Sequence, residues 1–174
     1  MKLFRVLIVI GALATVAAAP LVAQTGVDAI SAASTQNYYE ESSLSGVALY
    51  DLIGSRRAAF VWSTMNANGT PNAAVLVPGV VDRNQGILAQ SFGGDGPQTI
   101  VNMRRGGYSI LTVYQHNPDS ADRLERNTGA RVVCEYISDP AQQRRLLAEF
   151  QRVNPRATAE NTVFLRIVRV LPLG

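Results

Sequence analysis

AAFVWSTMNANGTPNAAVLVPGVVDRNQGILAQSFGGDGPQTIVNMRRGGYSILTVY, residues 58–114, reads as strand, turn, strand, turn, strand, glycine-rich loop, short helix and strand. In Ala58 to Met65, Phe60 and Trp62 share one strand face with Ala58 and Thr64, while Ala59, Val61, Ser63 and Met65 share the other. Asn66-Ala67-Asn68-Gly69 supplies residues that tolerate positive φ, so a tight hairpin follows. Asn72 to Val81 is expected as a second strand, interrupted by Pro78-Gly79, a pair suited to a bend or bulge. A turn at Asp82 to Gly86 leads into a third strand, Ile87 to Gln90.

Beyond that strand lies the segment with chemical potential. Ser91-Phe92-Gly93-Gly94-Asp95-Gly96 forms a loop, and Pro97 suits the first position of a helix expected over Gln98 to Arg105 and stopped by Gly106-Gly107. Unpaired amides and the partial positive charge at such a helix start suit a phosphate. Ser91, Gln98 and Thr99 can add side-chain donors, and Arg104 or Arg105 can add charge. The same residues equally describe an ordinary capped connecting helix, since every helix has such an end.

Working outward, Leu44, Val47, Ala48 and Leu52 recur at helical spacing with Gly54 as a stop. Asp139-Pro140 starts another helix, whose apolar face is read as Gln143, Leu146, Leu147, Phe150 and Val153. Arg131 to Ile137 and Thr162 to Val170 supply two further strands, which makes six. Adjacent strands joined by hairpins, with helices inserted at the ends, favour a mainly β (α+β) antiparallel barrel over a doubly wound parallel sheet.

The pattern of an alternating strand, an N-G-x-P-N hairpin, a strand ending near V-x-G-V-V-D, a short strand ending in Ser, and Q-T-x-x-N-M-R-R before another strand resembles the FMN-binding split barrels related to pyridoxamine 5′-phosphate oxidase. The resemblance spans roughly Leu44 to the C-terminus and is strongest from Phe60 to Val113. It implies a six-stranded antiparallel split barrel with flanking helices, in which Ser91, Gln98, Thr99, Asn102, Arg104 and Arg105 hold the FMN phosphate. Val75, Leu76 and Val77 would lie along the flavin ring, with Trp62 or Tyr114 near a substrate path. It also implies a homodimer and an oxidoreductase acting on a small-molecule substrate or electron donor. Many members carry a lysine before the position of Thr99; this chain has Gln98. A barrel without flavin, serving as a periplasmic binding or structural module, is the rival reading, with deazaflavin or haem as other cofactors. Pyridoxamine phosphate oxidation itself is disfavoured, because the mature chain lacks lysine.

Lys2 is the only lysine among 174 residues. An anion held by the mature protein must therefore rely on arginine, hydroxyls and backbone amides, and lysine Schiff-base chemistry is excluded. Lys2 and Arg5 precede an apolar run from Val6 to Val22, the layout of a secretory signal peptide. We read residues 1–23 as that segment, 24–43 as a polar linker and 44–174 as one domain. Cleavage after Ala23 is expected, a cut after Ala19 or near Ala29 stays open, and an uncleaved segment would be a membrane anchor. The expected location is periplasmic or extracellular. Without Lys2 and Arg5, 14 arginines face 13 acidic residues, which gives no electrostatic reason for a nucleic-acid partner.

Other chemistries lack their residues. His116 has no Cys/His cluster around it in sequence, so no metal site is assigned. No G-x-S-x-G elbow or Walker loop occurs, and Gly93-Gly94-Asp95-Gly96 has the wrong spacing for a dinucleotide fingerprint. Cys134, the sole cysteine, forms no internal disulfide and is expected to be a buried core thiol.

Overall fold

In a computed structural model, residues 42–93 and 97–173 are described; the segment read as a signal peptide, most of the expected linker and Gly94 to Gly96 lie outside them. Four helices and seven strands occur among the described residues, in the order α1 (Gly46–Ser55), β1 (Ala59–Met65), β2 (Pro71–Val75), β3 (Gly79–Asp82), β4 (Ile87–Ser91), α2 (Gln98–Arg104), β5 (Tyr108–His116), α3 (Arg123–Arg126), β6 (Asn127–Tyr136), α4 (Pro140–Phe150) and β7 (Thr162–Leu171). All strands join one antiparallel sheet in the order β2-β1-β5-β6-β7-β4-β3.

The expected strand over Asn72 to Val81 is two strands, and they occupy opposite ends of that order. Pro78 has no amide hydrogen for a ladder, and the chain leaves β1 after the Leu76 amide bonds the Phe60 carbonyl at 3.2 Å. This break forces the sheet to curl. A flat seven-stranded sheet would hold its outermost strands about 29 Å apart, at about 4.8 Å per step. From Val75 to Gly79 the chain takes four Cα steps, through Leu76, Val77 and Pro78, and reaches about 14 Å at most. The sheet is therefore rolled, and it is split in its hydrogen bonding between β2 and β3.

Rolling creates an interior, and strand alternation fills it. Phe60, Trp62, Leu88, Leu111, Val113, Val132, Cys134, Val163 and Leu165 form one buried cluster with Leu49 and Ile53 of α1 and Ile100 and Met103 of α2. Trp62 is fully buried, and its indole Nε1 donates to Gln90 Oε1 at 2.8 Å across the interior. It thus belongs to the core and not to a substrate path. A second cluster lies outside the sheet under α4, where Leu146 and Phe150 cover Ile87, Ala89, Ile137 and Phe164. Covered on both faces, β4 has Ile87 to Gln90 all buried, which explains its unbroken apolar run.

Local signals set most boundaries. Asp139 caps α4 by accepting from the amides of Ala141 and Gln142, with Pro140 in the first turn. Val153 leaves the expected apolar face: α4 ends at Phe150, and Val153 is 77% exposed. Helix α1 runs through Gly54 and ends at Arg56, which adopts the left-handed conformation at φ 56°. The short α3, capped by Asp122, was not expected from the sequence. Cys134 is buried, and burial pushes its thiol far above the ordinary value, so it stays protonated.

Strand β6 begins earlier than the expected Arg131, at Asn127, and includes Gly129 at φ 154°. There the backbone packs against β5 so closely that a Cβ would stand 2.0 Å from the Val113 carbonyl oxygen. Gly129→Ala must move one of the central strand pair, and we expect it to destabilise the fold by at least about 2 kcal/mol. Urea denaturation checks this; a midpoint equal to wild type would contradict the packing.

Candidate functional site

Helix α2 carries Gln98, Thr99 and Asn102 on one side, at the spacing that stacks side chains along a helix, with Arg105 as its C-cap. That side faces the hairpin between β1 and β2. Thr99, 1% exposed, accepts from Asn72 Nδ2 at 3.0 Å. Asn102, 3% exposed, donates through Nδ2 to Thr64 Oγ1 at 3.0 Å and Asn66 Oδ1 at 2.8 Å. Its Oδ1 accepts from Gln98 Nε2 at 2.9 Å and from Arg105 at 3.3 Å. Asn72 also donates to Thr64 Oγ1 at 3.1 Å. The Arg105 guanidinium further bonds the Met65 carbonyl. An amide side chain placed at the centre of such a network uses both its donor and its acceptor ends, which fixes the helix against the hairpin.

Four of the sequence-derived residues, Gln98, Thr99, Asn102 and Arg105, are thus gathered in one cluster. An open recess of about 430 Å³ borders it, with Asn66, Asn102, Arg105, Gly107 and Tyr108 in its lining. The other candidates go elsewhere. Arg104 turns to the chain entering β7 and donates to the carbonyls of Ala159 and Glu160, each at 2.7 Å. Glu160, in that same stretch, has its carboxyl held below the ordinary value, chiefly by a hydrogen bond with the Thr158 side chain. Ser91 sits by the same entry, 3.1 Å from Thr162 Oγ1. Pro97 is the N-cap and not the first helical residue, and it offers no side-chain cap bond.

Val75 and Val77 point outward from the β2 edge, 76% and 49% exposed, whereas Leu76 packs against the interior. As an edge strand, β2 has no strand on its outer side. Tyr114 donates to Asn127 Oδ1 at 2.7 Å, beside exposed His116 at the end of β5. The sequence reading missed Thr64, Asn66 and Asn72. Thr64 is the polar end of the Phe60–Trp62 face, and the hairpin register sets Thr64 opposite Asn72. That pairing follows once the turn length is known.

No family model matches the chain, and no curated protein matches it. Among solved structures, an FMN-binding protein from Syntrophomonas wolfei subsp. wolfei is 18% identical and superimposes with a TM-score of 0.51, covering 78% of this chain and 86% of that one. A variant of HupZ from Group A Streptococcus is 20% identical, with a TM-score of 0.49 over 74% of this chain and 98% of that one. An FAD-binding protein from Mycobacterium smegmatis is 16% identical, with a TM-score of 0.46 over 75% of this chain and 98% of that one. What the chain shares with the Syntrophomonas protein is a fold, and that fold is the mainly β split barrel that the resemblance in residues 58–114 implied.

Proposed function

We propose that this chain is an exported flavin-binding split-barrel protein that holds FMN, pairs as a homodimer and serves as an oxidoreductase for a small-molecule substrate or electron donor. The observation that carries this reading is the gathering of Gln98, Thr99, Asn102 and Arg105 beside an open recess, in a barrel whose fold is shared with an FMN-binding protein. The donors suit a phosphate: the Arg105 guanidinium in the recess lining and the Gln98 amide beside it, with no carboxylate in that lining. Arg105 is the cation for that phosphate and Gln98 donates beside it, while Asn102, its own donors spent on Thr64 and Asn66, holds both through its Oδ1. Arg104 and Ser91 are drawn to the entry of β7, so Arg105 is the arginine placed to supply the charge.

The outer edge of β2, at Val75 to Val77, offers backbone groups free of a neighbouring strand for the polar edge of a flavin ring. Bound FMN supplies the hydride or electron transfer, so the protein's tasks are to bind, orient and exclude water. Pairing is favoured by the face of the sheet on which Val61 lies beside Val75 and Ser63 beside Ala73 and Ile110. Val75 and Met65 leave apolar surface exposed there, which a second subunit would cover.

A second reading has its own observation. Thr99 and Asn102 are buried and spend their side chains on protein partners, as expected of a barrel that keeps the cluster for structure and binds no flavin. Flavin retention separates the readings. If FMN is held, purified protein retains yellow flavin at about one per subunit and sediments as a dimer. Thr99→Val with Arg105→Ala then weakens FMN about tenfold or more, since bonds to a charged group are lost. A colourless wild-type chain that retains no added FMN would sink the flavin reading. Asn102→Ala, by contrast, is expected to lower stability by about 2 kcal/mol with or without flavin, because it strips partners from buried polar groups; an unchanged thermal midpoint would refute the network.

A further inference from the structure

On the side of the barrel where α1, β3 and α4 meet, the surface opens into a groove of about 820 Å³. Its lining is mixed: buried Ile53 and Ala89 and the nearly buried ring of Phe150 close the floor beside Val80, and backbone and arginine groups add polar surface. Val77 and Val153 stand on its rim, and no acidic residue lines it. The Phe150 ring lies over Gly79, where a Cβ would come within 2.9 Å of it, so the floor depends on the absence of a side chain there.

The charges around this groove are unequal. Arg83 is paired with Asp51 at 2.7 Å, and Asp82 is turned into its own loop, where it accepts from the amides of Asn84 and Gln85. Arg56 lines the groove with no side-chain partner among the described residues. It also ends α1 at φ 56°, a conformation usually given to glycine. A long cationic side chain thus stands at the mouth of the groove in a backbone conformation that glycine holds more easily, between the exposed apolar side chains of Val77 and Val153.

We propose that this groove binds an amphipathic organic anion, an aromatic or branched aliphatic body with a single acidic head. The body lies on Val80 and Phe150, and the head pairs with Arg56. The volume falls within the range of sites that enclose small organic ligands. Val77 and Ser91 border both this groove and the residues proposed for flavin, but Arg56, Gly79 and Phe150 belong to the groove alone. The inference therefore stands whether or not FMN is held.

The test uses the full chain and two fluorescent probes of similar body, anionic anilinonaphthalene sulfonate and neutral N-phenylnaphthylamine. The sulfonate is expected to bind at one saturable site per chain. Arg56→Gly should weaken it about tenfold, as loss of a charge-assisted contact does, while changing the neutral probe less than about twofold. The same variant should unfold at the wild-type midpoint or above it, because glycine suits that φ. Val153→Asp, which adds a like charge on the exposed rim, should also weaken the sulfonate. Equal sulfonate affinity in wild type and Arg56→Gly overturns the proposal. So does displacement of the probe by FMN together with loss of FMN affinity in Arg56→Gly, which would give the groove to the flavin.

Discussion

The link Leu76-Val77-Pro78 is the constraint on which the rest of this protein depends. It joins the two strands that lie farthest apart in the sheet, and it is too short to cross a flat one. Curling follows from chain length alone, and curling makes an interior that must be filled. The Trp62–Gln90 bond spans that interior from β1 to β4, strands that share no ladder. Leaving either group buried without its partner would cost about 1–3 kcal/mol, so the bond also selects how far the sheet rolls.

The same link decides where chemistry can sit. By ending β2 at Val75 it leaves an edge with outward-facing Val75 and Val77, next to the helix whose polar side is locked to the hairpin. By starting β3 at Gly79 it sets the Phe150 ring directly over a residue without a side chain and opens the groove beneath Arg56. The connection therefore borders the groove, whereas the amide-rich recess lies at the β1–β2 hairpin. Their chemistry differs because α2 presents amides and hydroxyls, whereas α1 and α4 present aliphatic and aromatic groups.

Much of this was legible in the sequence. Alternation in residues 59–65 and 108–114, the Asn66–Gly69 turn and the Asp139-Pro140 cap each reflect a local rule, and each element formed where those rules put it. The count of six strands failed at Asn72 to Val81 because the apolar run is continuous across the break; only the tertiary requirement that one half pair with β1 and the other with β4 splits it. In the candidate site, the helix expected over Gln98 to Arg105 forms as Gln98–Arg104, with Gln98, Thr99 and Asn102 on one side. Helical spacing could not show that Arg104 and Arg105, neighbours in sequence, point about 100° apart and reach different loops. Thr64 and Asn72 were invisible for a related reason: their contact is set by strand register and helix docking, which no single segment encodes. Arg56 gave no sequence signal at all, since Gly54 looked like the natural helix stop.

The place of β7 has a kinetic meaning. It is the last strand to be synthesised, yet it lies inside the sheet between β6 and β4. Until Thr162–Leu171 is present, β4 has only β3 to pair with, and β6 presents an open edge that includes Val132 and Val133. Pairings this distant in the chain form slowly, and an unpaired apolar edge invites self-association. The nascent protein therefore stays uncommitted to its barrel until Thr162–Leu171 has emerged. For a chain that must cross a membrane unfolded, that delay keeps it threadable; for one held in the cell, it is the interval in which a chaperone is needed.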